Sequence, residues 1–257
     1  VNVSQTQYLT DLAARFGLVR TSISAACVGV HRSPKEVTLL AVSKTHPPEV
    51  VAAAVSCAQT HFGENRVEEG VRKISVLKTL LGAGAETLTW HMIGHVQSRK
   101  ARDVAQWFEV VHSVDSLKLA ERLGRFRLEN HPERPLRVML EMNISGEQSK
   151  SGFDALGWQD QTEKRRSLWE AVRQMKDLPG LQLEGLMTMA PYGADPELTR
   201  PVFRGLRLLR EALLNDLTGL HLPHLSMGMT DDYRVAIEEG ATMVRIGRAL
   251  FGERDEG

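Results

Sequence analysis

The chain has 257 residues, with 32 basic and 32 acidic side chains and an apolar fraction of 42%. That apolar content calls for a substantial core and argues against disorder. A net charge of zero removes the electrostatic case for nucleic acid or an anionic membrane as the principal partner.

Residues Ser4 to Val28 read as an amphipathic helix, with Leu9, Leu12, Ala13, Phe16 and Val19 recurring at three- and four-residue steps. It precedes the first strand, belongs to no βα pair, and is expected to cover the bottom of a barrel. From Val37 a regular alternation begins. Val37 to Ser43 is a near-continuous apolar run, the mark of a parallel strand buried on both faces. Pro48 then opens a helix to about Ala58, in the position proline favours. His61 to Asn65 is the second strand, with a helix from about Val67 to Leu80. Leu88 to Gly94 is the third, with a helix from Gln97 to about Gln106. Phe108 to Ser113 is the fourth, and Ser116 caps a helix reaching about Leu128. Leu136 to Asn143 is the fifth.

The connection from Ile144 to Gly152 is polar, glycine-bearing and long for a βα loop. A helix from about Gln161 to Lys176 follows it. Leu181 to Met189 is the sixth strand, with a helix from about Thr199 to Leu214 after another long loop. His224 to Met229 is the seventh. Its helix, Asp231 to Glu239, ends at Gly240, where a C′ glycine belongs. Thr242 to Ile246 is the eighth, and Gly247 opens a last short helix. Eight βα units with no linker predict a parallel sheet. The count favours a closed α/β (β/α)8 TIM barrel, one domain over 1–257 at the roughly 250 residues such folds take. An open doubly wound sheet is the alternative, but no Gly-x-Gly-x-x-Gly follows the first strand.

No hydrophobic run approaches the ~18 residues a membrane span needs, and Val1 to Leu18 lacks the pattern of a secretory signal. Cys27 and Cys57 lie in alanine-rich helices without metal-ligand spacing, which favours a reduced, cytoplasmic setting over a single disulfide.

Lys44 stands where the first strand emerges, the end at which such barrels keep their reacting groups. It is either a lysine snorkelling to solvent or an amine ready to form a Schiff base. The loops after the last two strands of a barrel often build a phosphate site. Here they read Leu225-Ser226-Met227-Gly228-Met229-Thr230-Asp231-Asp232 and Val244-Arg245-Ile246-Gly247-Arg248, each a strand breaking at glycine toward a helix start. Barrel closure makes Lys44 and these loops neighbours. Pyridoxal 5′-phosphate (PLP) would satisfy both, and so would the sugar-phosphate substrate of a cofactor-free Schiff-base aldolase. Arg245 would donate to a pyridine nitrogen, keeping it unprotonated and the ring a weaker electron sink. The other reading of Arg245 is a buried ion pair with Glu64 or Glu141.

Several motifs match one family in order. They are Leu40-Ala41-Val42-Ser43-Lys44, Phe62-Gly63-Glu64-Asn65, Trp90-His91-Met92-Ile93-Gly94 and Gln97-Ser98. They continue as Asn143 with Ser149-Lys150-Ser151-Gly152, Gly185-Leu186-Met187-Thr188, Ser226-Met227-Gly228-Met229, and Val244-Arg245-Ile246-Gly247 with Phe251-Gly252. From about Val37 to Arg254 the chain resembles the pyridoxal-phosphate homeostasis proteins, which are related to the barrel domain of alanine racemase. The resemblance implies PLP held as a Schiff base on Lys44, with Arg245 facing the pyridine nitrogen and Asn65 beside the ring. It implies a phosphate cradle at Ser226, Gly228, Gly247 and Arg248, and places His91 in a motif at the barrel mouth. Three positions depart from the family. Arg99 stands where asparagine is more frequent, Thr230 where serine is usual, and Arg248 where threonine or serine is usual.

The racemases of this fold have a second, β-rich domain that brings a tyrosine acid/base from the partner subunit. With the chain ending at Gly257, that domain is expected to be missing. The tyrosines are Tyr8, Tyr192 and Tyr233, of which Tyr233 is the candidate base. Without such help, worth about 10²–10⁴-fold, racemisation would be slow. The expected function is PLP holding and delivery in vitamin B6 homeostasis, without catalytic residues or a metal. PLP-accepting apo-enzymes are the expected partners, and the chain is expected to be a monomer or weak homodimer. A PLP-dependent racemase-like enzyme is the rival within the family.

Overall fold

The computed structural model describes residues 3–147, 151–191, 193 and 195–252. Ser149, Lys150 and Tyr192 lie outside the described residues.

The strands are β1 (Thr38–Val42), β2 (His61–Glu64), β3 (Thr89–Met92), β4 (Val110–Val114), β5 (Leu136–Asn143), β6 (Phe153–Asp154), β7 (Leu181–Met187), β8 (His224–Ser226) and β9 (Met243–Ile246). Eight of them pair in parallel in the order β1-β2-β3-β4-β5-β7-β8-β9, and β9 returns to β1 through Thr38↔Met243 to Ala41↔Ile246. The two-residue β6 adds onto the end of β5. The sheet is a closed barrel with no free edge, which excludes the open doubly wound alternative.

The outer helices are α1 (Val3–Gly29), α2 (Pro48–Ser56), α3 (Val67–Leu81), α4 (Ala101–Trp107), α5 (Leu117–Asn130), α6 (Thr162–Lys176), α7 (Pro196–Asp216), α8 (Tyr233–Glu238) and α9 (Arg248–Phe251). Asp195 accepts a bond from the Glu197 N–H and Pro196 sits in the first turn, so α7 starts earlier than expected. Several strands end sooner than their apolar runs, β8 at Ser226 and not at Met229. Gly228 lies at φ +91°, outside strand geometry, and turns the chain into α8.

Helix α1 is in the outer ring and does not cover the barrel bottom. The four-residue α9 is too short to flank β9 and β1, and α1 fills that place beside α8 and α2. Phe16 meets Phe251 edge-on at 6.1 Å, the Tyr233 hydroxyl donates to Ser22 Oγ at 2.8 Å, and Arg20 donates to the Cys57 carbonyl at 2.8 Å. Its buried stripe is Leu12, Phe16, Val19, Ile23 and Cys27, whereas Leu9 and Ala13, expected on that face, are exposed. Cys27 and Cys57 are free thiols, so the disulfide alternative falls.

Alternate residues of each strand serve two cores. Phe62, Val111, Leu140 and Val244 face the helices, while Val110, Met139, Met187 and Met243 form a separate cluster inside the barrel. The interior also holds a line of polar side chains. His61 Nδ1 lies 3.0 Å from His91 Nε2, His91 Nδ1 lies 2.8 Å from His112 Nε2, and His112 Nδ1 lies 2.7 Å from Ser226 Oγ. This chain runs through the barrel from β2 to β8. His91, expected at the mouth, is therefore fully buried in the interior.

Burial and the neighbouring imidazole charges hold His91 well below the ordinary histidine range; for His112 the causes are burial and then Arg245. His61 is lowered by burial and by Arg137. As pH falls below about 6.5, the unfolded chain takes up protons that the folded chain refuses. Stability is level above that value and drops below it, by up to about 1.4 kcal/mol per pH unit for each histidine kept neutral. Urea midpoints should fall between about pH 7 and about pH 5.5, and the fall should be shallower in His91→Gln. Equal slopes in the two proteins would contradict this assignment. For the outer ring, Phe16→Ala should cost about 3–5 kcal/mol in the same experiment, and Leu18→Ala on the exposed face about 0.5 kcal/mol or less.

Candidate active site

The C-terminal ends of the strands open into a cavity of about 910 Å³. Lys44, Asn65, Arg245, Gly247 and Arg248 all line it. Ser226 and Gly228, expected in the same cradle, do not.

Lys44 follows β1 on a backbone tethered from both sides. Ser43 Oγ donates to Glu64 Oε1 at 2.6 Å, and Lys73 Nζ donates to the Ser43 carbonyl at 2.7 Å and to Glu64 Oε1 at 2.6 Å. On the other side the Thr45 N–H donates to Glu69 Oε1 at 2.5 Å, and Lys73 also reaches that oxygen at 3.1 Å. Thr45 lies at φ +69°, a left-handed conformation that a β-branched residue adopts only when held. Burial pushes the Glu64 carboxyl up while Lys73 pulls it down. Burial outweighs that pull and leaves the carboxyl above its ordinary range, beside Ser43.

Asn65 leaves β2 beside Gly94, where an added Cβ would fall 2.2 Å from the Asn65 carbonyl oxygen. Only glycine lets the loop after β3 close onto Asn65.

Arg245 is inward on β9 and 5% exposed. It donates from Nη1 to Ser226 Oγ at 2.7 Å and from Nη2 to the Thr188 carbonyl at 2.9 Å. Burial pushes it down to about 10, opposed by Asp232 and Glu141. The guanidinium stays charged near neutral pH, and Arg245 forms part of the cavity wall. Neither ion-pair reading applies: Glu64 is bonded to Lys73, and Glu141 acts on Arg245 through charge without a hydrogen bond.

Ser226 is fully buried beneath Arg245, with its hydroxyl between the guanidinium and His112. Gly228 is a packing position, because an added Cβ would meet Ala236 Cβ at 2.6 Å and Tyr233 Cα at 2.9 Å. The cavity wall in this loop is Met229, Thr230 and Asp231. Arg245 N–H donates to the Gly228 carbonyl at 2.9 Å and ties this loop to the one after β9. There the first intrahelical bond of α9 comes from Leu250 N–H to Gly247 O, so the N–H groups of Arg248 and Ala249 precede it. The Arg248 guanidinium is paired with Asp231 at 2.5 Å.

Glu141 and His95 also line the cavity, and the sequence places neither in the site. Glu141 is an acid inside the apolar run of β5, a signal that was available; burial and Asp115 push its carboxyl up. His95 lies 3.1 Å from Asp115 at the rim. Tyr233 is turned away, its hydroxyl spent on Ser22 of α1, and is no base for this cavity. Among the described residues no cluster of histidine, cysteine or carboxylate side chains could hold a metal ion, and no helix is long and apolar enough to cross a membrane.

The family model for the alanine racemase N-terminal domain matches residues 28–255. The pyridoxal phosphate homeostasis protein of Escherichia coli (strain K12) is 42% identical over 254 residues, covering 96% of this chain and 98% of that protein. PipY of Synechococcus elongatus PCC7942, solved without and with PLP, superposes with TM-scores of 0.79 and 0.77 at 35% identity, covering 94% of this chain and all of PipY. The alanine racemase of Streptomyces coelicolor A3(2) shares the fold at a TM-score of 0.66 and 17% identity, over 96% of this chain and 59% of its own. The chain belongs to the alanine racemase N-terminal domain family and, within it, to the pyridoxal phosphate homeostasis proteins.

Proposed function

We propose that this protein holds pyridoxal 5′-phosphate on Lys44 in the cytoplasm and passes it to apo-enzymes that need it, as part of vitamin B6 homeostasis. The observation that carries the reading is one cavity joining a tethered lysine, a buried arginine with N–H groups to spare, and two loop ends rich in backbone donors. The relatives named for PLP homeostasis, and PipY solved with PLP bound, support it.

The residues present fit this cofactor. When bound, PLP supplies an aldehyde that condenses reversibly with an amine. Lys44 offers that amine from a backbone fixed at Ser43 and Thr45. Arg245 offers donors that an aromatic ring nitrogen can accept, and as an arginine it has no acceptor with which to place a proton there. Asn65 lines the wall beside it. The Thr230 hydroxyl and the N–H groups at the start of α9 suit phosphate oxygens. Since the Arg248 guanidinium is paired with Asp231, the phosphate grip rests on these neutral donors.

Holding without dedicated catalysis is supported by the position of Tyr233, which removes it as an acid/base. The rival, a slow racemase-type activity, is favoured by one observation: Glu141 is a buried, upshifted carboxyl on the cavity wall. Exchange of the α-proton of alanine in heavy water separates the two. The holder reading expects exchange no faster with protein than with free PLP; turnover lost in Glu141→Gln would establish the enzyme. A cofactor-free aldolase has no support from the relatives.

Borohydride treatment of protein loaded with PLP should leave a pyridoxyl group on the Lys44 peptide. Lys44→Ala should fold as wild type by circular dichroism and take up no covalent cofactor. Label on another lysine would overturn the assignment.

A further inference from the structure

The chain from His61 to Ser226 is off the cavity wall, yet its bonds are 2.7–3.0 Å long, and those of His91 to His112 and of His112 to Ser226 are buried. Each ring nitrogen of His91 and His112 is engaged by a neighbour, and a neutral imidazole has one donor and one acceptor. The tautomers are therefore correlated, and only two polarities of the whole chain are allowed.

Ser226 decides between them. Its Oγ accepts from Arg245 Nη1, since a guanidinium can only donate. If His112 Nδ1 also donated to Oγ, the Ser226 hydrogen would need a further acceptor, and the hydroxyl makes no other contact among the described residues. If Ser226 donates to His112 Nδ1, every group is satisfied. His112 then carries its hydrogen on Nε2 and donates to His91 Nδ1, and His91 donates from Nε2 to His61 Nδ1. The positive charge of Arg245 favours the same direction, because an oxygen that accepts from a cation is the better donor. Protonating a buried ring beside Arg245 is opposed by burial and repulsion, which keeps the rings in the neutral state this scheme needs.

We propose that His61, His91 and His112 are positioning residues for Arg245: a single-tautomer imidazole chain that fixes the Ser226 hydroxyl hydrogen and turns the oxygen lone pairs to the guanidinium. His61, at the start of β2 and the opposite end of the barrel from the cavity, sets the polarity by presenting an acceptor to His91. The consequence for cofactor binding rests on the proposed function above; the tautomers and the Arg245 geometry do not.

The test uses the ¹⁵N-labelled, cofactor-free full chain. Long-range ¹H–¹⁵N spectra should show His91 and His112 neutral, with hydrogen on Nε2 and bare Nδ1, and Arg245 Nη hydrogens as separate, slowly exchanging signals. His61→Phe, which removes the acceptor, should mix the tautomers and average the Arg245 signals. It should also weaken PLP binding about tenfold. His61→Gln, whose amide oxygen accepts from His91, should retain all three properties. Hydrogen on Nδ1 in the wild type overturns the proposal without any variant, and so do unchanged Arg245 signals in a folded His61→Phe. A wild type with the expected spectra that takes up no PLP would leave the chain standing and sink the proposed function.

Discussion

A guanidinium enclosed by eight strands has to be satisfied by the strands themselves. Removing a cation from water costs several kcal/mol even after relaxation, and Arg245 recovers this through Ser226, the Thr188 carbonyl and the nearby charges of Asp232 and Glu141. That requirement propagates. A serine that accepts from arginine needs an acceptor for its own hydrogen, which explains His112, and each imidazole passes the need on to the next. Barrel interiors are usually layers of branched apolar side chains. Here Met139, Met187 and Met243 take their place, unbranched chains that can fill irregular space around fixed rings.

The mouth of the barrel repeats the logic at Lys44. In the proposed function Lys44 is the amine that reacts, and another lysine fixes the backbone on either side of it. Lys73, from α3, does the holding: it reaches under β1 to the Ser43 carbonyl, while Glu64 and Glu69 balance its charge. The amine proposed to react and the structural amine are thereby separate groups. The left-handed turn at Thr45 is maintained by a carboxylate and not by glycine, so the loop keeps a side chain with restricted backbone freedom.

Much of this was legible in the residue order. Eight apolar runs alternating with helical patterns gave the barrel, and residues at strand ends fell on the cavity wall: Lys44, Asn65, Arg245, Gly247 and Arg248. Depth was not legible. Ser226 and His91 lie on the right strands, but how far each sits below the mouth depends on strand tilt and stagger, which no single strand encodes. Ser226, expected in a phosphate cradle, thus lies beneath Arg245, while Thr230, beyond the strand end, is on the cavity wall. The place of α1 was hidden for a similar reason: it depends on a gap left by α9, at the other end of the sequence. Lys73 reads as one more charge on an amphipathic helix until the fold brings it against β1.

Tyr233 shows how the same scaffold sorts holding from catalysis. Its hydroxyl bonds to Ser22, and the helix it opens packs against Gly228 and α1, so the residue braces the loop that carries Met229, Thr230 and Asp231. In that position it stiffens a binding wall and cannot move a proton in the cavity. Contacts that grip a ligand equally before and after a chemical step strengthen binding without lowering the barrier. In the proposed function, Arg245, clamped from beneath, and the backbone donors of the β8 and β9 loops are contacts of that kind. Glu141, on β5, is a wall carboxyl of another kind, pushed up by burial and by Asp115. Chemistry beyond retention would draw on a group of that kind, a carboxyl that can take and return a proton, and not on donors that only grip.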